Sequence, residues 1–372
     1  MTRVCHMTSA HPPGDIRILY KECSSLARAG YEVYLVEQGD SYEENGVHIV
    51  GVGPVNGGRL ERITHVAKKV YETALALDAD IYHFHDPELL PYGLKLKRQG
   101  KKVVFDSHEK YSEQLRNKPY LPHWASEQVA NVYTAYEKRA LKKLDAVIFP
   151  CMQNGKHPFS GLCRRTVTVD NMPMLYELYE RYDPSVQKRE RSICHVGSLT
   201  YPRGITHMIR AAALADCTAY VGGVFSPSEY EAEVRSMPEF SCVECLGKLN
   251  RTQVVELLQS CQIGMANLLN VGQYNRFDNF PTKVYEYMSL GLPVILSRSD
   301  YGDRVLEQYR FGISVDPENV EEIADAIRYL LDHPDEARQM GENGRRAVKE
   351  QYNWGVEEKK LLALYEDILN DR

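Results

Sequence analysis

The chain has 372 residues, a length typical of about two domains, and 43% hydrophobic and 26% charged residues are the proportions of an ordinary globular protein. Its 45 basic and 51 acidic residues give a net charge of −6, which argues against nucleic acid as a partner. Nine cysteines show no spacing typical of a disulfide framework or a zinc site. No segment approaches the roughly 18–20 apolar residues of a membrane span, and the first residues lack the apolar core of a signal peptide, so we expect a cytoplasmic protein.

Short apolar runs alternate with helical periodicity along the chain. In the first half they predict a helix over 16–29 and strands at 3–8, 31–36, 80–85, 102–106, 146–150 and 166–169. After the polar residues 182–192 the pattern restarts, with a helix over 319–333 and strands at 193–199, 218–221, 241–245, 262–266, 293–296 and 312–315. This alternation is typical of parallel sheets covered on both faces, so we predict an α/β fold with two doubly wound, Rossmann-like domains. Ligands of such domains bind beyond the carboxyl ends of the strands.

The most informative segment is DNFPTKVYEYMSLGLP, residues 278–293. Pro281 suits the first turn of a helix, and Gly291 suits its end. Two acids stand eight positions apart, Asp278 in the loop and Glu286 on the helix. Judged by charge alone, they would be solvated surface residues.

The run PTKVYEYMSLGLPVI resembles the signature of retaining glycosyltransferases of the type-B fold, family 4. In that family two acids, usually both Glu, precede a G-x-P-V-I turn and strand. This chain keeps the spacing and the second Glu but has Asp278 at the first position. The resemblance implies that Glu286 binds the ribose of the donor and that Asp278 is a catalytic residue in contact with sugar hydroxyls. A carboxylate suits both tasks because it accepts hydrogen bonds from two hydroxyls at once.

A second segment, HVGSLTYPRGI at 195–205, combines a strand, a glycine turn and a helix N-terminus, which together favour an anion. In the resembled family an Arg and, five positions on, a Lys bind the diphosphate of the donor. Here Ser198 and Arg203 stand at those positions. Arg203 can bind a phosphate with two hydrogen bonds, or can be a solvated residue at the helix start, whereas Ser198 offers only a hydroxyl. Lys283 is a candidate for the missing positive charge.

The loop SAHPPGD follows the first predicted strand. Gly14 would let the backbone approach the donor diphosphate closely. Asp15 is either a residue of the acceptor side or the N-cap of the next helix. The sequence leaves both roles of Asp15 open.

Histidines and carboxylates cluster at the ends of two predicted strands, namely His83, His85, Asp86, Asp106, His108 and Glu109. A metal site formed by His83, His85 and Asp86 is conceivable, since such ligands bind zinc. The resemblance instead implies that no metal is needed and that the catalytic histidine of the first domain is His108. His85 and Glu109 are then predicted to line the acceptor side.

The resemblance covers nearly the full chain and implies two domains facing each other across a cleft. Residues 1–185 form the acceptor-side domain, residues 190–352 the donor-side domain, and 353–372 a C-terminal helix that crosses back to the first domain. It further implies a nucleotide-diphosphate-sugar as co-substrate, no metal or other cofactor, and a saccharide or lipid-linked saccharide as acceptor. We therefore expect a retaining, metal-independent enzyme of bacterial surface polysaccharide or glycolipid synthesis.

A run of basic residues comprises Lys95, Lys97, Arg98, Lys101 and Lys102. It has two interpretations, a solvated helix end or a patch in peripheral contact with anionic lipid of the cytoplasmic membrane face.

Other functions remain as alternatives. A dinucleotide oxidoreductase needs G-x-G-x-x-G, which Gly51 and Gly53 begin but Asn56 interrupts. A sugar-nucleotide epimerase of the same architecture would release a free sugar nucleotide without any acceptor. A non-catalytic sugar-nucleotide-binding subunit also stays open, because Ser198 and Asp278 depart from the family pattern.

Overall fold

The computed structural model describes residues 1–54, 58, 61–116, 123–272 and 274–371. The chain divides into two compact units. The first comprises Met1–Asn171 and Glu357–Arg372, and the second comprises Met172–Val356.

The first unit is built on a parallel sheet with one antiparallel edge strand. In the described part of the chain its eight strands are β1 (Arg3–Met7), β2 (Glu32–Glu37), β3 (Tyr42–Glu44), β4 (Val47–Gly51), β5 (Ile81–Phe84), β6 (Lys102–Asp106), β7 (Ala146–Phe149) and β8 (Thr166–Thr168). The order is β3-β4-β2-β1-β5-β6-β7-β8, and only β3 runs antiparallel to its neighbour. Neither β3 nor β4 was predicted; β3 is short, polar and mostly exposed, and so carries little hydrophobic pattern.

Helices follow the strands of the first unit. The predicted helix over 16–29 is a π-helix at Ile16–Cys23 continued by an α-helix at Ser24–Arg28. Later helices are Arg62–Val66, Ala67–Ala76, Leu90–Arg98, Tyr111–Arg116, His123–Leu141 and Trp354–Leu369. From Glu357 onward the last helix belongs to this unit, where Glu357 accepts a hydrogen bond from the backbone N–H of Asp170 at 2.9 Å.

The second unit holds a fully parallel sheet. Its described strands are β9 (Ser192–Val196), β10 (Thr218–Gly222), β11 (Val243–Gly247), β12 (Ile263–Ala266), β13 (Val294–Ser297) and β14 (Gly312–Val315), in the order β11-β10-β9-β12-β13-β14. Its α-helices are Ile205–Leu214, Ser228–Arg235, Arg251–Ser260, Thr282–Ser289, Asp300–Tyr309, Val320–Asp332 and Pro334–Glu350. Hydrophobic side chains fill two core clusters in this unit.

The first unit ends at Asn171 rather than at the predicted residue 185. Met172 and Leu178 are buried in a core cluster of the second unit, and the guanidinium of Arg345 lies 4.0 Å and 4.1 Å from the ring centroids of Tyr179 and Tyr182. These contacts involve residues up to and including Tyr182, the first residue of the polar stretch 182–192 that suggested a linker. The contacts therefore place the boundary earlier than the change in polarity does.

Each sheet has one strand from which the chain order proceeds in both directions. β1 lies between β2 and β5, and β9 lies between β10 and β12. Doubly wound sheets bind ligands at such switch points, beyond the carboxyl ends of the strands. The loops after β1, β5, β9 and β12 are therefore where a site is expected. Among the described residues, no helix is long and apolar enough to cross a membrane.

Candidate active site

Asp106, at the end of β6, organises the site of the first unit. Both of its oxygens accept hydrogen bonds from Arg17, at 2.9 Å and 3.0 Å, and Nε2 of His108 lies 3.0 Å from Oδ2. Burial alone would raise the pKa of Asp106, but Arg17 and His108 hold it well below its usual range. Asp106 is thus a buried carboxylate that fixes the ring of His108, whose side chain is partly exposed.

His85 lies beneath His108 rather than on the acceptor surface predicted for it. It is 2% exposed, with Nδ1 lying 3.4 Å from Asp106 and 3.3 Å from Nε2 of His108. Its other nitrogen lies 3.0 Å from Nδ1 of His6. Burial lowers the pKa of His85 to about 4, so the ring is neutral at pH 7. His85 can therefore act on a ligand only through His108. Glu109, by contrast, is exposed.

A buried polar network continues below His85. The Tyr365 hydroxyl lies 2.8 Å from Nδ1 of His83 and 3.2 Å from Nε2 of His6. Burial lowers the pKa of both imidazoles well below the usual value and raises that of Glu22 well above it. In the described chain, Nε2 of His83 and both carboxylate oxygens of Glu22 lack a hydrogen-bond partner, although Arg17 lies 3.1 Å from Glu22.

Among the described residues, two groups of side chains have the chemistry to ligate a metal. They are His6, Glu22, His83 and His85, and His85, Asp106 and His108, with ligand atoms within 4.8 Å of one another. The set conceived from the sequence, His83 with His85 and Asp86, is not among those found in the described residues. Asp86 faces the loop after β1 instead, because one of its oxygens accepts hydrogen bonds from the backbone N–H groups of Ser9 and Ala10.

The loop after β1 differs in part from its prediction. The N–H of Gly14 points at the Glu37 carboxylate, at 3.2 Å and 3.3 Å, so in this structure it is not available to a phosphate. Gly14 has φ +71°, which favours glycine over other residues. Asp15 is the N-cap of the helix Ile16–Cys23, accepting from the N–H groups of Arg17 and Ile18. Of its two predicted roles, the structure shows the capping role.

In the second unit, β9 leads into a glycine turn and then a short 3-10 helix, Tyr201–Arg203. Gly197 has φ +130°, and a Cβ added there would lie 3.7 Å from Nζ of Lys283. Lys283 is 4% exposed, and its Nζ lies 2.7 Å from Nε2 of His195. Burial and the positive charge of Arg203 hold the pKa of Lys283 well below its usual value. Lys283 and Arg203 therefore act on each other at this turn, next to which Ser198 is exposed.

The two acids of the 278–293 segment each have an arginine partner. Glu286, on the helix Thr282–Ser289, accepts a hydrogen bond from Arg251 at 2.7 Å. Its negative charge also acts on the buried Lys283. Asp278 accepts from Arg304 at 3.2 Å and is 13% exposed. Both carboxylates are thus held in place, and neither is the freely solvated charge that composition alone suggests.

Sequence reasoning missed several of these residues. His11 lies 3.0 Å from Asp86, Arg17 pairs with Asp106, and His195 contacts Lys283. Arg17 and His195 carried no signal, because their partners are distant in sequence. The only signal for His11 was its place in the loop after the first strand.

Two of the five residues in the basic run 95–102 pair with carboxylates of the first unit. Lys97 pairs with Asp145 and Lys101 with Asp78, each at 2.6 Å. Nζ of Lys95 lies 4.8 Å from the ring centroid of Tyr92. These contacts favour the interpretation as a solvated helix end over that as a lipid-binding patch.

Two family models match the chain: Glycosyltransferase Family 4 over residues 17–156, and Glycosyl transferases group 1 over residues 180–347. An uncharacterized glycosyltransferase of Methanocaldococcus jannaschii is 23% identical, over 98% of this chain and 97% of that protein. Sucrose-phosphate synthase from Thermosynechococcus elongatus has a similar structure, with a TM-score of 0.76 and 17% identity over 100% of both chains. Anabaena HepE in complex with UDP-glucose gives a TM-score of 0.71 and 15% identity over 99% of this chain and 100% of that one.

The two parallel-sheet units and these matches define a glycosyltransferase of the type-B fold, as the sequence resemblance predicted. The protein is an enzyme of sugar transfer. Each family model matches one unit of the chain, Glycosyltransferase Family 4 within the first and Glycosyl transferases group 1 within the second.

Proposed function

We propose that the enzyme transfers a sugar from a nucleotide-diphosphate-sugar to a saccharide or lipid-linked saccharide acceptor, with retention of configuration, in bacterial surface polysaccharide or glycolipid synthesis. The observation that carries the proposal is the turn after β9, where the guanidinium of Arg203, the buried amine of Lys283 and a following helix N-terminus lie beside Glu286. HepE, a structural neighbour, binds UDP-glucose, which supports a donor of this chemistry.

In this proposal the second unit binds the donor. Arg203 and Lys283 bind the diphosphate, Glu286 binds the ribose, and Asp278 contacts the sugar. The first unit binds the acceptor, with His108 as the catalytic residue. The leaving phosphate takes the proton of the acceptor hydroxyl, so the charge that develops on that phosphate is what Arg203 and Lys283 stabilise.

A panel of sugar nucleotides tests the proposal. Wild-type protein should hydrolyse one donor slowly without an acceptor and should bind it with a rise in melting temperature. Product analysis separates the alternatives, because an epimerase would yield a new free sugar nucleotide and a binding subunit would yield no product. Either of those results would overturn the proposed transfer.

Sugar transfer should need no divalent metal, because the side chains and helix end at the turn after β9 meet the charge of the diphosphate. The chain contains one Asp-x-Asp triplet, but Asp78 pairs with Lys101, and Asp80 accepts a hydrogen bond from the N–H of Arg3 at 2.8 Å. Activity measured in excess chelator should equal that with added Mg²⁺ or Mn²⁺. A strict requirement for either ion would contradict this and direct attention to the group of His85, Asp106 and His108.

Donor binding should take up a proton in the pH range between the lowered pKa of Lys283 in the free protein and its higher pKa in the complex. Burial and Arg203 lower the pKa of Lys283 in the free protein, and a bound diphosphate would raise it again. Calorimetry in two buffers of different ionisation enthalpy measures the uptake. Lys283→Met should abolish it, whereas the exposed control Lys248→Met should leave it unchanged. Equal uptake in wild type and Lys283→Met would place the diphosphate away from this lysine.

A further inference from the structure

His11 lies beside His108 at the carboxyl edge of the first sheet, although the two residues come from different loops. Their ring centroids are 4.5 Å apart. Each side chain is 23% exposed, so a ligand can reach both. A bound molecule that touches His108 would therefore meet His11 as well.

Both histidines are held by a buried carboxylate. Oδ1 of Asp86 lies 3.0 Å from Nδ1 of His11, and Oδ2 of Asp106 lies 3.0 Å from Nε2 of His108. Asp86 is 2% exposed, and its other oxygen accepts hydrogen bonds from the N–H groups of Ser9 and Ala10. Asp86 thus fixes both the loop after β1 and the ring that this loop carries.

The outer nitrogen of each ring is left for a ligand. Within the described part of the chain, Nε2 of His11 and Nδ1 of His108 make no hydrogen bond. A carboxylate on one imidazole nitrogen sets the tautomer and orientation, so that the opposite nitrogen is presented to a substrate. His11 and His108 therefore share one arrangement, a buried carboxylate against one ring nitrogen and an outward-facing second nitrogen, although the carboxylate lies against Nδ1 in His11 and against Nε2 in His108.

The surroundings of His11 favour its protonated form. Burial lowers the pKa of His11, but the adjacent Asp86 outweighs burial and the pKa lies above the usual value. The ionisable groups that face the ring come from the loop ends around it, namely Asp15, His85, Asp86, Asp106 and His108. A protonated ring offers a charged N–H donor, which suits an oxygen that carries or gains negative charge.

We propose that His11, positioned by Asp86, is a second catalytic histidine of the first unit, donating a hydrogen bond from Nε2 to a negatively charged oxygen of the same bound substrate that His108 contacts. This inference rests on the proposed sugar transfer. The oxygen belongs either to the leaving phosphate or to an anionic group of the acceptor, such as a phosphate or carboxylate, and these share the chemistry that His11 recognises.

The proposal is tested by measuring kcat as a function of pH, with the donor that the panel of sugar nucleotides identifies. Wild-type kcat should fall as pH rises through the pKa of His11, because the protonated ring is the active form. His11→Gln should lower kcat about 10- to 100-fold, the effect of one charged hydrogen bond, and remove this pH limb. Asp86→Asn should move the limb to lower pH, since it removes the negative charge next to the ring.

Further arms identify the oxygen and control for misfolding. If His11→Gln slows donor hydrolysis without acceptor as much as it slows transfer, the oxygen is on the phosphate; if only transfer slows, it is on the acceptor. His48 on β4, which pairs at 2.7 Å with Glu43 of the edge strand β3, supplies the matched control, and His48→Gln should change neither kcat nor its pH dependence.

Imidazole ¹⁵N NMR of wild type and Asp86→Asn reports the His11 pKa directly and shows whether the variant is folded, whatever the activity. A His11→Gln enzyme with wild-type kcat and pH profile, or an unchanged His11 pKa in folded Asp86→Asn, would overturn the inference while leaving sugar transfer intact. If wild type transfers no sugar from any donor, the proposed function fails, and added UDP-glucose should then leave the Nε2 resonance of His11 unshifted.

Discussion

Arg203→Ala should weaken binding of the nucleotide-diphosphate-sugar by about 10- to 100-fold, because a charged hydrogen bond contributes about 1.5–3 kcal/mol. Arg203 ends the 3-10 helix one residue before the helix Ile205–Leu214, so in the proposed site its guanidinium and the N–H groups of the helix start would act on one anion. Arg203→Lys should recover only part of the affinity, since an ammonium cannot make the paired hydrogen bonds of a guanidinium.

The same measurement of donor affinity should show whether an arginine in place of Ser198 strengthens donor binding. Lys283 already lies against the Gly197 turn, so we expect Ser198→Arg to tighten binding by less than Arg203→Ala weakens it. Calorimetry with the donor measures all three variants. Arg298→Ala is the control, because Arg298 is a half-exposed arginine of the same unit that pairs with Glu322. If Arg203→Ala binds the donor as tightly as wild type, the diphosphate lies elsewhere and the assignment is wrong.

His108→Ala and Glu286→Ala should have different kinetic effects. An interaction made only in the transition state appears in kcat, whereas one made equally with bound substrate appears in KM. His108→Ala should lower kcat about 100-fold or more, the usual contribution of a positioned catalytic side chain, because the buried Asp106 fixes the ring of His108. Glu286→Ala should chiefly raise the KM for the donor, because the ribose takes no part in the reaction.

Steady-state kinetics with varied donor and saturating acceptor measures the difference. Glu286→Gln keeps the shape of the side chain and one acceptor oxygen, so it should fall between wild type and Glu286→Ala. The variant Glu322→Ala removes a comparable helix carboxylate far from the turn in sequence and should change neither constant. If His108→Ala instead chiefly raised the KM for the donor and Glu286→Ala chiefly lowered kcat, the two assignments would be reversed.

The sequence by itself was sufficient for the fold class and for most elements. Strand β6 has the predicted bounds, the helix Trp354–Leu369 lies within the predicted 353–372, and Asn319 caps the helix predicted over 319–333. These elements are defined by local periodicity and capping residues, which are properties of neighbouring positions. The edge strand β3 was missed because a three-residue, mostly exposed strand carries little hydrophobic pattern. Its neighbour β4 was missed although two of its five residues are buried.

Only the tertiary structure decided which polar side chains meet. The order β2-β1-β5-β6 brings the loop after β1 next to the ends of β5 and β6, and so joins His11 to Asp86 and Arg17 to Asp106. It also buries His85 beneath His108. Local patterns show which face of a strand is buried but contain no information on which strands become neighbours, and the pairings of these charged groups depend on that order.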